Sequence, residues 1–298
     1  MNRTRIKIYT NSYCVNIAEN LKNKIAQHYS IPAMVIPKRF DEADRDALGL
    51  QEYVILFQGL LSHQPLHHPP PANKYFIYQL EQLNKPHIYT ENVQPILNLI
   101  EKSICTFDYS LTNIGYYPED IRHKVRHLIP PPRPGPIQSQ GMIYDVLFYG
   151  LLTPRRIAIL QYISRKGYKV YAVEQVFGER LHQLILKSCV ILNLHNADEA
   201  ILETPRLHEA VHTGARIISE YPCEEDWKHV PKYARDRIHF IDIIKDDLSN
   251  ISLLVDVLNI CDTGKEQFPV VSNYLDVVNK EVIDMLAPMN YIRMKHRA

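Results

Sequence analysis

Glycine is scarce in this chain, and no glycine-rich phosphate loop is present. The sequence has 10 glycines among 298 residues, against 20 prolines and 19 tyrosines. The glycines form neither a Walker-type nor a dinucleotide-type loop, which excludes those two modes of phosphate binding. Any phosphate would therefore have to be bound by arginine side chains and helix N-termini.

A net charge of one sign is also lacking. The 34 lysines and arginines almost balance the 33 aspartates and glutamates, for a formal charge of +1. Such a balance provides no global attraction toward nucleic acid or an anionic membrane. We therefore expect no nucleic-acid partner, and a phosphate site would depend on locally placed cations.

Paired cysteines and long apolar runs are missing as well. The five cysteines are dispersed and form no Cys-x-x-Cys motif, which favours reduced thiols in a cytosolic protein. The N-terminus leads directly into a short strand rather than a signal peptide, and no apolar run reaches the roughly 18 residues that span a bilayer. We expect a soluble, cytoplasmic protein without a transmembrane segment.

The first half of the chain alternates short β-branched runs with helical patterns, which is typical of a parallel α/β sheet. The predicted strands are 6–10, 34–36, 53–57, 75–80 and 106–110, and the predicted helices are 16–29 and 93–102. The proline-rich stretch 63–71 predicts a surface loop. Its histidines have no acidic or cysteine partner at ligand spacing, so no metal site is predicted there.

A proline run at 130–136 separates the two halves, because stacked prolines form a stiff, extended connector. Beyond it the pattern restarts, with predicted strands at 144–149, 169–173, 189–194, 216–219 and 239–243 and predicted helices at 154–166, 179–187, 205–213 and 248–260. The sequence thus predicts two Rossmann-like βαβ domains, which would face each other across a cleft at the carboxyl ends of their strands.

The domain limits follow from these patterns. We predict an N-terminal domain over 1–130, a proline-rich linker over 131–141 and a C-terminal domain over 142–272. A final helical segment over 273–298 either returns to the first domain or packs on the second.

The turn after the first strand of the second half has the features of an anion site. Gly150 lies in this turn, Thr153 is the predicted N-cap and Pro154 the first helical residue, which leaves backbone N–H groups beside a strand end. Arg155 and Arg156 follow directly and are candidate anion ligands. The alternative is an exposed helix start with solvated arginines.

A second motif covers 206–214, which reads Arg-Leu-His-Glu-Ala-Val-His-Thr-Gly. Arg206 and Glu209 are three residues apart and so share one helix face. A guanidinium grips phosphate, and a carboxylate accepts hydrogen bonds from the vicinal hydroxyls of ribose, so the pair suits one nucleotide. The alternative is an ordinary surface ion pair.

Two polar residues of the preceding strand point the same way. Asn193 and His195 alternate with leucines, so their side chains lie on one face of the strand. Both are candidate contacts for the same ligand. The alternative for His195 is a hydrogen-bonded structural residue.

With its βα units, the region 144–220 resembles the donor-binding core of GT-B glycosyltransferases. The resemblance rests on Glu-Ala-x-x-x-Gly from Glu209 and on Arg-x-x-Glu from Arg206, the variant of the spore-protein-like and viral groups of glycosyl transferase family 1. It implies a metal-independent transferase that moves a sugar from a UDP- or GDP-sugar to a glycan or other hydroxyl acceptor. It also implies that Glu209 binds ribose and that Arg155 or Arg156 contacts the donor diphosphate.

The sequence departs from the family pattern at one position. The large retaining families carry a Glu-x7-Glu pair, and its first position falls on Ile201. Glu203 and Glu199 are the nearby carboxylates that could replace the missing acid. The departure leaves two other functions open, a nucleotide-sugar epimerase of similar fold and an inactive nucleotide-sugar-binding module.

The acceptor side is predicted in the first half. Glu81 follows a buried strand within Tyr-Gln-Leu-Glu-Gln-Leu at 78–83, and comparable segments occur in the same viral and bacterial relatives. It is the candidate base for an acceptor hydroxyl, with a helix-start carboxylate as the alternative. Asn11 and Tyr13, after the first strand, are further acceptor-side candidates.

Overall fold

The structure is a computed structural model. It describes residues 4–57, 66–83, 93–131, 141–196, 200–213, 215–230 and 232–243, and residues 280, 282–284, 286–290 and 292 near the C-terminus. The chain divides into two compact units, Met1–Arg133 with Asp276–Ala298, and Pro134–Leu275. The predicted helix 248–260, Glu199 and most of the predicted linker and final helical segment lie outside the described residues.

The first unit is built on a parallel sheet of six strands in the order β2-β1-β3-β4-β5-β6. The strands are β1 (Arg5–Thr10), β2 (Ala33–Ile36), β3 (Glu52–Phe57), β4 (Tyr75–Gln79), β5 (Cys105–Asp108) and β6 (Val125–His127). Strand β4 is buried along its whole length and β3 along almost all of it, as expected for parallel strands covered on both faces. Strand β6 was not predicted, because three residues are too few to show a period.

Five described helices belong to the first unit: α1 (Val15–Tyr29), α2 (Glu42–Asp46), α3 (Val93–Lys102), α4 (Leu111–Gly115) and α5 (Glu119–Arg122). Helix α1 buries Ile17, Leu21 and Ile25, the residues whose spacing predicted it. It ends where Ser30 adopts a left-handed φ of 56°. The short helices α2, α4 and α5 were not predicted, since one turn of helix carries little periodic signal.

The end of the chain also belongs to the first unit. The hydroxyl of Tyr29, the last residue of α1, donates to the carbonyl of Leu286 at 2.8 Å. Val282, Leu286 and Met289 are fully buried. The C-terminal segment therefore contributes apolar side chains to the core of this unit.

The second unit contains a parallel sheet of five strands in the order β11-β10-β9-β7-β8. The strands are β7 (Tyr144–Tyr149), β8 (Val170–Val173), β9 (Ser188–Asn193), β10 (Arg216–Glu220) and β11 (Ile238–Ile241). The described helices are α6 (Pro154–Arg165), α7 (Gly178–Leu186), α8 (Thr204–Thr213), α9 (Glu224–Trp227) and α10 (Lys232–Arg237). The predicted fold class, two parallel α/β sheets of the Rossmann type, is confirmed.

The strand order identifies where a ligand site is expected in the second sheet. Strand β8 pairs with one edge of β7, and β9 pairs with the other. The direction of winding therefore reverses between β7 and β9, and open α/β sheets bind ligands at the carboxyl ends of the strands beside such a switch point. The predicted residues Gly150 and Asn193 lie at these two strand ends.

Helix α6 begins as the sequence predicted. The side chain of Thr153 accepts a hydrogen bond from the backbone N–H of Arg156 at 3.4 Å, and Pro154 is the first helical residue. Within the described ranges, no helix is both long enough and apolar enough to cross a membrane.

Candidate functional site

Gly150 and Arg206 are in contact at the switch point of the second sheet. Gly150 follows β7 with a φ of +136°, and a Cβ at this position would lie 3.2 Å from Cζ of Arg206. The absence of a side chain thus leaves room for the guanidinium. The Tyr149 hydroxyl donates to the carbonyl of Arg206 at 2.7 Å, which ties the start of α8 to the end of β7.

Asn193 and Glu203 hold the guanidinium of Arg206 in place. Nη1 of Arg206 donates to Oδ1 of Asn193 at 3.3 Å, and Nη2 donates to Oε1 of Glu203 at 3.1 Å. The second Glu203 oxygen lies 2.6 Å from Nη1. Asn193 is itself oriented, because its Nδ2 donates to the Ser219 hydroxyl at 3.0 Å. We call Gly150, Asn193, Glu203 and Arg206 the Arg206 group.

Glu209 lies three residues beyond Arg206 on α8 and pairs with a residue of α7. Its Oε1 is 3.3 Å from Nδ1 of His182, and both side chains are mostly buried. His182 was not predicted as a site residue, because neither its helix nor its spacing in the sequence links it to the motif at 206–214. The predicted contact between Glu209 and ribose stays a prediction.

Arg155 connects the ends of three strands. Its two terminal nitrogens donate to the two carboxylate oxygens of Glu220, one of them at 3.0 Å. The same guanidinium reaches the carbonyls of His195 at 3.5 Å and Ile243 at 3.3 Å. Arg155 therefore links the ends of β9, β10 and β11 through hydrogen bonds. Its predicted contact with the diphosphate stays a prediction.

Arg156 points into the interior of the second unit. The residue is 1% exposed, and it donates to the carbonyls of Leu151 at 2.9 Å and Leu194 at 2.5 Å. Its guanidinium also lies 5.4 Å from the ring centroid of Phe148. Burial, with the like charge of Arg206 as the next cause, lowers the pKa of Arg156 to about 10. In this structure the guanidinium links the turn after β7 to the end of β9, and its predicted diphosphate contact stays a prediction.

His195 is buried beside Glu220 at the end of β9. It is 6% exposed, and its backbone N–H donates to Oε2 of Glu220 at 2.6 Å. Nε2 lies 3.2 Å from the carbonyl of Glu220. Because a carbonyl only accepts, Nε2 carries the proton in this contact. Burial lowers the pKa of His195, which favours the neutral ring.

The position that corresponds to the first glutamate of the GT-B pattern is occupied by a core residue. Ile201 is fully buried, and the backbone N–H of the next residue, Leu202, donates to Oδ2 of Asp226 at 2.8 Å. Of the two carboxylates suggested as replacements, Glu203 lies in the Arg206 group. Glu199 lies outside the described residues.

In the first unit, Glu81 follows β4, and Asn11 and Tyr13 follow β1. Burial, followed by the charge of the Glu81 carboxylate, raises the pKa of Cys14 to about 12. Asn11 caps the turn after β1 by accepting a hydrogen bond from the Cys14 backbone N–H at 3.2 Å. Tyr13 is 60% exposed. The three predicted acceptor-side residues therefore follow two strands of this parallel sheet, β1 and β4, at its carboxyl edge.

Several solved structures resemble this chain over nearly its whole length at low sequence identity. The spinosyn forosaminyltransferase SpnP is 12% identical, with 99% of each chain covered and a TM-score of 0.43. An alpha-glucosyltransferase in complex with UDP and a mismatched 13-mer DNA is 10% identical, with 98% of each chain covered and a TM-score of 0.47. A UDP-GlcNAc 2-epimerase from Neisseria meningitidis bound to UDP-GlcNAc is 10% identical, with 96% of this chain and 99% of that chain covered and a TM-score of 0.43.

No protein-family model matches this chain, and no curated protein does either. The α/β architecture stated above follows from the strand order and register of the two parallel sheets. The chemistry of the site has to be argued from the side chains that these sheets bring together.

Glu220, the last residue of β10, is the main residue of this region that was not predicted from the sequence. It receives the Arg155 side chain and the His195 backbone N–H, yet in the sequence it is only the residue after a predicted strand. A carboxylate at a strand end can be recognised from the sequence as part of a site only if its arginine partner is already known. Among the described residues, no group of three or more His, Cys, Asp or Glu side chains is placed to hold a metal ion.

Proposed function

We propose that this protein is a glycosyltransferase that moves a sugar from a nucleoside diphosphate sugar to an acceptor hydroxyl. The observation that carries this proposal is the contact between Arg206 and Gly150 at the switch point of the second sheet. It puts a cation against the backbone at the strand edge where α/β sheets bind ligands. The resemblance of 206–214 to the donor motif of GT-B glycosyltransferases supports the same reading.

Arg206 suits a diphosphate because part of its guanidinium remains available. The group has five N–H donors in a planar fork, and the contacts with Asn193 and Glu203 engage Nη1 twice and Nη2 once. The side chain is 21% exposed, so solvent and therefore a ligand reach it. The donors left over, on Nε and Nη2, match the spacing of phosphate oxygens.

Glu209 suits the ribose of the same donor. It lies on the helix face of Arg206, one turn further from the start of α8. A carboxylate accepts two hydrogen bonds from vicinal hydroxyls, whereas the arginine binds the phosphates. The two residues would thereby hold two parts of one nucleotide.

The transfer step itself needs a base and a stabilised leaving group. The acceptor oxygen would attack the anomeric carbon as its proton passes to the Glu81 carboxylate. The bond between the anomeric carbon and the phosphate oxygen breaks, and the nucleoside diphosphate leaves with the electron pair. Arg206 would stabilise that charge in the way a divalent cation does in other transferases.

The donor site is tested by calorimetric titration of UDP and GDP. Arg206→Ala and Glu209→Ala should each weaken binding by about 1–3 kcal/mol, the range for losing a charge-assisted hydrogen bond. Arg165→Ala is the matched control, since Arg165 is exposed in the last turn of α6, at the opposite end from the Arg206 group. Unchanged affinity in both site variants would refute the assignment.

Product analysis then identifies the reaction. A nucleotide-sugar incubated with the protein and a hydroxyl acceptor should release nucleoside diphosphate and form a glycosylated acceptor. Recovery of an epimerised sugar nucleotide would support the epimerase alternative that Ile201 leaves open. Binding without any new product would support the inactive binding module.

A further inference from the structure

The backbone carbonyl of Glu81, in the segment after β4, is held by the side chain of a residue in helix α4. Nδ2 of Asn113, in α4, donates to the carbonyl of Glu81 at 2.8 Å. Oδ1 of the same side chain accepts from the backbone N–H of Leu83 at 2.7 Å. One buried amide therefore fixes both sides of the short segment that follows β4. Gln79 adds a second donor to the Glu81 carbonyl, at 3.2 Å.

Asn113 is held in turn by the buried carboxyl group of Asp108. Oδ2 of Asp108 accepts from Nδ2 of Asn113 at 2.8 Å and from the hydroxyl of Tyr117 at 2.9 Å. Oδ1 accepts from the backbone N–H of Ser110 at 2.9 Å. Asp108 and Asn113 have no exposed surface, so the amide cannot rotate without losing hydrogen bonds that water would not replace.

We call the hydrogen bonds of Asn113 to the Glu81 carbonyl and the Leu83 N–H the clamp. The clamp determines which side chain of the segment 81–83 faces solvent. Gln82 and Leu83 are 4% and 2% exposed, whereas Glu81 is exposed. Strands β4 and β5 are neighbours in the sheet, and Gln79 lies opposite Asp108 in their register. The hydrogen bonds of Asn113 thus hold the Glu81 carbonyl and the Leu83 N–H, the backbone directly after Glu81, at the carboxyl edge of the sheet.

We propose that Asn113, locked by Asp108, is the positioning residue for Glu81. This inference rests on the proposed function, in which Glu81 is the base that takes the acceptor proton. A base must be held within about half an ångström of its productive position, and a misplacement of about 1 Å can cost about a hundredfold in rate. Asn113 fixes the backbone at the Glu81 carbonyl and at the Leu83 N–H without contacting a substrate.

A double-mutant cycle on turnover at saturating donor tests the proposal. Glu81→Gln should lower turnover by about 10²–10⁴-fold, the scale for removing a general base. Asn113→Ala should lower it by about tenfold to a hundredfold, with donor affinity unchanged. In the Glu81→Gln background, Asn113→Ala should have almost no further effect, because it acts through a base that is already absent.

Hydrogen exchange at the Leu83 amide is a measurement that does not need activity. Asn113→Ala should speed this exchange, since the amide loses its acceptor. Ser103→Ala is the matched control: Ser103 is equally buried in this unit, but its hydroxyl donates to the Ile100 carbonyl at 2.7 Å, outside the clamp. It should change neither exchange at Leu83 nor turnover. If Asn113→Ala does not fold, Asn113→Ser, which leaves space and polarity for a water, replaces it.

The outcomes separate this inference from the proposed function. The positioning role would be overturned if the losses of turnover multiply in the double variant. It would also be overturned if Asn113→Ala leaves hydrogen exchange at the Leu83 amide unchanged. In both cases the proposed function stands as long as the wild-type protein transfers sugar. Absence of transfer by the wild-type protein would overturn the proposed function and the catalytic part of this role with it. A fall in donor affinity for Asn113→Ala would also count against positioning.

Discussion

The guanidinium of Arg206 lies against the backbone of Gly150, so close that a Cβ at position 150 would be 3.2 Å from Cζ of the arginine. Two independent constraints act on this glycine. Its φ of +136° is strained for any residue with a side chain, and the space above it is already filled. The contact joins the turn after β7 to α8, which are far apart in the sequence.

Gly150→Ala should therefore weaken nucleotide binding, and Gly167→Ala should not. Gly167 also has a positive φ, of +98°, but a Cβ there would meet nothing within 4 Å. Both variants should lose roughly 1–3 kcal/mol of stability from backbone strain. Only Gly150→Ala should also displace Arg206 and lower the affinity for UDP or GDP. Urea denaturation and calorimetric titration measure the two effects, and equal donor affinity in both variants would contradict this account.

Arg155→Ala should reduce stability more than it reduces nucleotide affinity. The substitution leaves the carboxylate of Glu220 mostly buried without its bidentate partner. Breaking a fully buried pair costs about 3–5 kcal/mol, and the partial exposure of Arg155 lowers the expected cost to about 2–3 kcal/mol. Urea denaturation should show this loss, and Arg155→Ala combined with Glu220→Gln should recover part of it. A large fall in nucleotide affinity at nearly unchanged stability would instead place Arg155 at the diphosphate.

Asp108 should make the stability of the first unit depend on pH. Burial raises the pKa of its carboxyl group from 3.8 to about 7. Between these values the folded protein keeps a proton that the unfolded chain has lost, so the free energy of unfolding falls as pH rises and levels off above about 7. The span of roughly three pH units corresponds to about 4 kcal/mol.

The contribution of Asp108 is measured as the difference in the free energy of unfolding between Asp108→Asn and the wild type. Asp108→Asn cannot titrate, so its stability relative to the wild type should rise from about pH 4 to about pH 7 in urea denaturation and then stay level. The other titratable groups contribute equally to the free energy of unfolding of both proteins, so their contributions cancel in the difference. A difference that stays constant with pH would show that Asp108 is ionised throughout this range in the folded protein.

Transfer should persist when divalent cations are removed. The proposed donor site relies on Arg206, and the Asp-x-Asp of the sequence, Asp44-Arg45-Asp46, lies in α2 of the first unit rather than beside Arg206. We therefore expect the rate in EDTA to match the rate without chelator. Loss of activity in EDTA that is restored by Mn²⁺ or Mg²⁺ would count against an arginine-based mechanism.

The secondary structure was largely predictable from local sequence patterns. Strand β7 and helix α3 have the predicted limits, because continuous apolar runs and helical spacing are properties of neighbouring residues. The predicted strand 106–110 ends earlier, at Asp108. There the carboxyl group accepts from the backbone N–H of Ser110, and the Ser110 hydroxyl caps α4. A side chain that bonds to the backbone two residues later favours a turn over a strand.

The sequence by itself determined the two α/β units, the helix cap at Thr153 and the placement of Arg206 and Glu209 on one helix face, since each depends on residues a few positions apart. Only the tertiary structure decided what the charged side chains contact. It pairs Arg155 with Glu220, 65 residues away, and holds Glu81 with Asn113, 32 residues away. Such partners follow from strand order and burial, because parallel strands bring distant residues to one sheet edge where a buried charge must be paired.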